Sequence, residues 1–406
     1  MEIPFLQSAF GWAGLCRSLL GSRGGLQRVW DSFARDTGLS TDFVFTSSCR
    51  AALVLAYRAL CLDGEVIVSP LTCSAALQPI LAAGLRPKFA DVCLDSFNLD
   101  PEAAQRSIGP RTVAIEAIYL GGNASGAAAL AELARKHGLK LVEDCTHGAG
   151  ARDGGCPTGT FGDAACLSFP KIVDGAGGAL CGRNATWLND ARNLQSSWNT
   201  TSRLRIGLRL LRTLLTASGI NLSEENVPES LLRFARRRPE SPNGSTTQVN
   251  IGKCARTRSV ESAWAACQLG KWRRLASGRQ TAALHLKRAL ARHTPNVRIQ
   301  LSVGGAESTY TRFYVRVPAR SDDMIGLMRK HGVEVIHLSH GDGACQLRLD
   351  HDPCFSPYLD PKELPNYFQL HDHLIALPLH AAMGPTEAEK IALALKLSLA
   401  AAAGEK

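Results

Sequence analysis

The chain has 406 residues, enough for one large domain and a smaller one. Its residues are 45% hydrophobic and 20% charged, ordinary for a globular protein, and no run of 18 apolar residues predicts a transmembrane helix. The net charge is +10, but half of it lies between Arg203 and Arg238, where eight arginines face Glu224, Glu225 and Glu229; only Phe234 interleaves with them, so no nucleic-acid partner is expected.

The start, MEIPFLQSAFGWAGLCRSLL, has no basic segment before its apolar part and does not read as a signal peptide. Thirteen cysteines show no CxxC pair and no metal-like spacing. They read as reduced thiols in a cytoplasmic enzyme, and no metal site is expected.

From about residue 43 to 182, short apolar runs alternate with helical periods. EVIVSP (65–70) predicts a strand and Ala75 to Ala83 a helix. PKFADV (87–92) and TVAIEAIYL (112–120) predict strands, Ala127 to His137 a helix, and LKLVED (139–144), DAACLSF (163–169) and GALCG (178–182) further strands. These runs are apolar on both faces, as strands covered on both sides are. Their alternation with helices predicts a mostly parallel α/β sheet, with the ligand at the carboxyl ends of the strands. Residues 183–250 are rich in Arg, Leu, Ser and Asn, and RRRPESPNGSTTQ reads as a loop. A long helical pattern returns from Ala263 to Ala291. RFYVRV (312–317), VEVIHL (333–338) and LIALPL (374–379) predict strands, and PTEAEKIALALKLSLAAAA a final helix. The expected organisation is an N-terminal segment (1–40), a large domain (41–270) with an insertion near 195–250, and a smaller C-terminal α+β domain (271–406).

Four polar features fall where strands end or helices begin. In FTSSCRAALVLAYRAL, small polar residues precede a strong helical run; the amides of Ser48, Cys49 and Arg50 suit either a plain capped helix or a phosphate. In VEDCTHGAGA, Asp144 ends an apolar strand and His147 follows, either as structural residues or as partners of a ring. Ser168 and Lys171 follow the next strand, and the Gly175–Gly178 turn lets backbone approach a ligand closely.

The order and spacing of these features resemble the DegT/StrS family of aminotransferases that use pyridoxal 5′-phosphate (PLP), with the fold type I architecture. The resemblance covers about residues 40–182 through SSCRAAL, SPLTCSAALQPILAAGLRPKFADV, FNLD (97–100), HGLKLVEDCTHGAGA and GTFGDAACLSF, and continues more loosely through CQLGKW (267–272) and ALPLH (376–380). It implies an α/β fold of type I, a mostly parallel central sheet with a smaller C-terminal domain. It also implies that Lys171 forms the Schiff base with PLP and moves a proton, and that Asp144 keeps the ring nitrogen protonated. His147 would stack on the ring or bond its phenolic oxygen, and Ser168 with the amides of Ser48, Cys49 and Arg50 would hold the phosphate. Cys73 stands where many members place an aromatic residue. The implied substrates are an amino donor such as glutamate and a keto-sugar nucleotide, in sugar or polysaccharide biosynthesis, and the implied assembly is a homodimer.

Departures from the family pattern accompany the resemblance. Ser168 and Lys171 are three residues apart where five are common. A Gly-Glu-Gly-Gly turn appears as Gly-Ala-Gly-Gly. Asn250, Arg256 and Arg258 are candidates for reaching a partner subunit. Two other readings stand beside transamination. One is a PLP enzyme of another reaction, although relatives that dehydrate carry histidine in place of the lysine, and no mobile Gly/Ser-rich loop surrounds a cysteine as a desulfurase would need. The other is a regulatory or membrane-surface protein on the same fold, suggested by residues 203–215. There Leu204, Leu208, Leu211 and Leu215 share one helical face and Arg205, Arg209 and Arg212 another, a pattern for a membrane surface or for packing on protein.

Overall fold

The computed structural model describes residues 3, 23–173, 175–203, 206–208, 210, 254–337, 349 and 354–404. Nine strands precede residue 182: β1 Phe43–Thr46, β2 Glu65–Val68, β3 Arg86–Phe89, β4 Thr112–Ile118, β5 Lys140–Asp144, β6 Arg152–Asp153, β7 Cys156–Pro157, β8 Ala164–Ser168 and β9 Gly178–Cys181. Seven form one sheet in the order β1-β9-β8-β5-β4-β2-β3, and β6 and β7 form a small hairpin. The run β3-β2-β4-β5-β8 is parallel, and β9 is antiparallel to both of its neighbours. The helices are α1 Arg23–Thr37, α2 Cys49–Ala59, α3 Ser74–Ala82, α4 Pro101–Ser107, α5 Ala127–His137, α6 Phe169–Val173, α7 Ala185–Ser196, α8 Ser259–Leu269 and α9 Trp272–His293. They are followed by α10 Ser321–Lys330, α11 Pro365–Leu370 and α12 Pro385–Ala402.

Strands β8 (AACLS) and β9 (GALC) are nearly continuous apolar runs because both faces of the sheet are covered. One face carries Ala114, Val142, Ala164 and Cys166 and packs on Leu53, Ala56 and Tyr57 of α2. The other carries Ile67, Ile115, Leu141 and Leu167 and packs on Trp30 and Phe33 of α1, on α5 and on Trp272. α1 and the short strand β1 lie in a stretch whose sequence reading named no element, and Trp30 of α1 stacks on Phe43 of β1. The pattern from Ala263 to Ala291 is two helices rather than one, because the chain turns at Gly270 and Lys271 between α8 and α9. A second sheet, in the order β10 (Arg298–Ile299), β11 (Phe313–Arg316), β13 (Leu374–Leu377), β12 (Ile336–His337), is antiparallel and packs with α9, α10 and α12 around Val315, Ile375, Leu286 and Ile391.

Of the arginine–leucine stretch, Leu204, Arg205, Arg209, Leu211, Arg212 and Leu215 lie outside the described residues, as does the loop RRRPESPNGSTTQ. Leu208 is exposed, whereas Ile206 and Leu210 are buried against Ala176 and Trp264, so the buried side is offset from the expected leucine row. Among the described residues no helix is long and apolar enough to cross a membrane.

Candidate active site

One end of the large sheet gathers the polar residues. Register pairs Thr46 with Gly178 and Gly178 with Ser168, while Asp144 is the last residue of the parallel strand beside β8. The carboxyl ends of β5 and β8 therefore open beside the start of α2, which follows β1 after two residues. Alternation along β5 sends Glu143 and Asp144 to opposite faces. Glu143 goes to the α1 side, where it accepts hydrogen bonds from Tyr119 Oη (2.6 Å) and the amides of Gly159 (2.6 Å) and Gly162 (2.7 Å). Its partners are structural. Asp144 goes to the α2 side and meets the helix start.

Ser48 is the N-cap of α2, and its Oγ accepts from the amide of Ala51 (3.2 Å). The amides of the first helical turn have no intrahelical acceptor. The backbone of β9 runs against this turn. A Cβ on Gly178 would lie 2.8 Å from the Cys49 nitrogen and 2.4 Å from the Leu167 carbonyl oxygen, and Gly177 adopts φ +80°. Glycine is required at 178 for that approach and at 177 for that turn. The Nε of Arg50 is buried without a hydrogen-bond partner among the described residues. This helix start fits an anionic phosphate, which would give acceptors to donors that lack them.

Asp144 is buried. Its Oδ1 accepts from the Thr146 amide (2.8 Å) and from the Cys49 thiol (3.7 Å), and the Thr146 hydroxyl donates to Cys49 Sγ (3.1 Å). Burial pushes its carboxyl above the usual range, while the bonds from Thr146 and Cys49 pull it down. No lysine, arginine or histidine ion-pairs with it among the described residues. A protonated ring nitrogen is the kind of cation such a carboxylate lacks.

His147, three residues after Asp144, is half-buried. Burial first, then the charges of Lys171, Arg312 and Arg279, holds its imidazole well below the ordinary range, so it is neutral at neutral pH. Its carbonyl oxygen accepts from the hydroxyls of Thr309 (2.9 Å) and Thr311 (2.8 Å), which fixes the loop from the far side of the chain. Lys171 sits in the short helix α6, half-buried. Hydrogen bonds from Phe169 N to Gly177 O and from Gly175 N to Phe169 O (both 3.1 Å) close the loop around it. Arg279 of α9 donates to the carbonyl of the adjacent Ile172 (2.8 Å).

Ser48, Cys49, Asp144, His147, Ser168 and Lys171 are thus linked through one another's neighbours, and Arg50 follows on the same helix. Cys73 is the half-buried N-cap residue of α3, packed beside the α2-side core. Arg256 and Arg258 are held within their own chain: Arg256 Nε donates to Trp198 O (2.9 Å) and Arg258 Nε to Thr201 O (2.6 Å). Asn250 lies outside the described residues. The residues that sequence reasoning passed over are Thr146, Arg279, Thr309, Thr311 and Arg312. Only Thr146 lies inside a recognisable block; the others reach the site from more than 100 residues away and carry no local signal.

The DegT/DnrJ/EryC1/StrS aminotransferase family model matches residues 31–396. The chain belongs to this family. Among curated relatives it is 35% identical over 142 residues to the spore coat polysaccharide biosynthesis protein SpsC of Bacillus subtilis, covering 34% of this chain and 36% of that one. It is 41% identical over 122 residues to the dTDP-3-amino-3,4,6-trideoxy-alpha-D-glucose transaminase of Micromonospora megalomicea, covering 29% and 33%. These matches span about a third of each relative's length. Across the whole chain the fold is similar to that of the aminotransferase TlmJ from Streptoalloteichus hindustanus, with TM-score 0.75, 23% identity and 99% of both chains covered. It is also similar to that of Spr1654 of Streptococcus pneumoniae in its PMP form, with TM-score 0.76, 17% identity and 100% and 99% covered. The architecture is fold type I, and PLP is the cofactor of this DegT/StrS member; the first-turn amides of α2 that Ser48 leaves uncapped, the buried Arg50 Nε and the uncompensated Asp144 fit its two ends.

Proposed function

We propose that this chain is a PLP-dependent aminotransferase that moves an amino group from an amino acid such as glutamate to a keto-sugar nucleotide. We place it in the cytoplasm as a homodimer, with a large domain over 41–270 and a small domain over 271–406. The observation that carries the reading is the meeting of a helix start, a buried carboxylate without a cation and the lysine of the short helix α6 at one sheet end, in a member of this family. The names of the two curated relatives, an amino-sugar transaminase and a polysaccharide biosynthesis protein, support the substrate class.

PLP, when bound, supplies an electron sink that makes a neighbouring C–H acidic. The chain's residues then have separate tasks. Lys171 holds the cofactor through its amine and, once released, takes and returns a proton at the reacting carbon. Asp144 keeps a proton on the ring nitrogen by presenting a negative charge that burial leaves unscreened. Ser168 and the first-turn amides of α2 (Ser48, Cys49 and Arg50) bind the phosphate. The neutral His147 either covers one ring face or bonds the phenolic oxygen, and Cys73 leaves the other face with a smaller neighbour than an aromatic side chain.

The test is incubation of purified protein with glutamate and a set of keto-sugar nucleotides, followed by mass spectrometry. An amino-sugar product formed by the wild type and not by Lys171→Ala is expected. Absence of any aminated product, with glutamate left unconsumed, contradicts the reading.

A further inference from the structure

The α2-facing side of the sheet holds a second carboxyl group, Glu116, in the middle of β4. It is fully buried. In-register pairing joins Glu116 to Val142 and Ile118 to Asp144, so Glu116 and Asp144 are diagonal neighbours on one face of adjacent strands. Such neighbours are about 7–8 Å apart. One oxygen of Glu116 accepts from the hydroxyl of Tyr57 on α2, itself fully buried (2.5 Å). The other oxygen has no hydrogen-bond partner, and no cation ion-pairs with the group, among the described residues. The titratable groups that share this face are Tyr57 and Cys49 from α2, Asp144 from β5 and Cys166 from β8; β2 contributes the apolar Val66 and Val68. Every one of these is neutral or negative.

An ionised carboxylate here would be buried beside another carboxylate with one hydrogen bond, an arrangement that costs far more than keeping the proton. Burial first, and then the charge of Asp144, pushes the Glu116 carboxyl well above the usual range.

We propose that Glu116 is a positioning residue of the cofactor site: a protonated acid, tethered by Tyr57, that leaves Asp144 as the single negative charge on this face. The proposal rests on the reading that Asp144 meets the ring nitrogen. With Glu116 neutral, the charge opposite the ring is one carboxylate and not a pair sharing a proton. When alkali removes the Glu116 proton, a second negative charge arrives beside Asp144 and holds protons more tightly at the cofactor.

Two measurements test this. Infrared difference spectra of the apoenzyme at neutral pH, wild type minus Glu116→Gln, read the proton without the cofactor. A protonated-carboxyl carbonyl band that is present in the wild type and lost in the variant is expected; its absence overturns the proposal. The absorbance titration of the holoenzyme then reads the coupling. The wild type should show an alkaline step that Glu116→Gln loses. Tyr57→Phe should move that step to higher pH, because it removes the hydrogen bond that favours the ionised form. Superimposable titrations of wild type and both variants overturn the coupling, and Tyr57→Phe alone decides it if the glutamine variant does not fold. Asp144→Asn separates the two layers. If its turnover matches the wild type, the Asp144 reading fails, while the infrared band still decides the protonation of Glu116.

Discussion

In the proposed mechanism Lys171 and Asp144 have different roles, and their substitutions should differ in kind. Lys171→Ala removes both the covalent anchor and the proton carrier. Turnover should fall by at least about 10²–10⁴-fold, the range for one positioned acid–base group. Asp144→Asn keeps the shape and the Thr146 contact but loses the charge, so turnover should fall far more than cofactor affinity, measured by fluorescence titration; equal losses would deny the role. His147 predicts a pH effect. Its folded-state imidazole lies well below the value of about 6.5 for an unfolded chain. Below that unfolded value the unfolded chain takes up a proton that the folded chain refuses, so this contribution to stability is full above about pH 6.5 and lost as pH falls. Apoenzyme unfolding midpoints between pH 7.5 and 5 should therefore drop more steeply for the wild type than for His147→Gln. The sequence could single out Asp144, His147, Ser168 and Lys171 as candidates because Asp144 and Ser168 end their strands and His147 and Lys171 follow three residues later. Glu116 was present only as one acid in TVAIEAIYL, and neither Tyr57 nor Asp144 is near it in sequence.

Among the elements, the contact between β9 and the start of α2 shapes the end of the candidate site proposed to hold the phosphate. Gly178→Ala would drive a methyl group into the Cys49 amide and the Leu167 carbonyl, both backbone atoms that cannot step aside. The cost should be about 1–3 kcal/mol of stability, as for overpacking in general, with a clear loss of cofactor affinity. The loop of His147 offers a milder case. Thr309→Val and Thr311→Val each remove one hydrogen bond to its carbonyl, worth about 0.5–1.5 kcal/mol, and the double variant should raise the KM of the site more than either alone. The strands β2, β4, β8 and β9 were readable because burial on both faces leaves them mostly apolar, whereas the edge strand β3, RPKF, carries Arg86 and Lys88 and was readable through the apolar residues that follow it. The helix pair α8–α9 was not separable, since helical periodicity runs through CQLGKW and the break at Gly270 and Lys271 costs no apolar residue. Strand β1, FVFT, has strand-favouring composition and carried a signal that the reading of the adjoining FTSSCRAAL as a helix start passed over.

At the scale of the molecule, the parallel sheet predicted from alternating strands and helices is present, and the candidate site lies at the carboxyl ends of its strands, where such sheets hold their ligands. The pieces that the sequence could not assemble, Thr309, Thr311, Arg312 and Arg279, come from segments whose approach depends on how the second sheet and α9 pack against the first. Assembly remains a prediction. In light scattering the protein should run at twice its chain mass of 43.5 kDa, and an active species at the single mass would contradict a dimeric site. Lys171 is the proposed link to the cofactor. Borohydride reduction of the holoenzyme followed by peptide mapping tests it most directly. The account predicts one labelled peptide, carrying the modification on Lys171 within LSFPKIV; a label on any other lysine would contradict it.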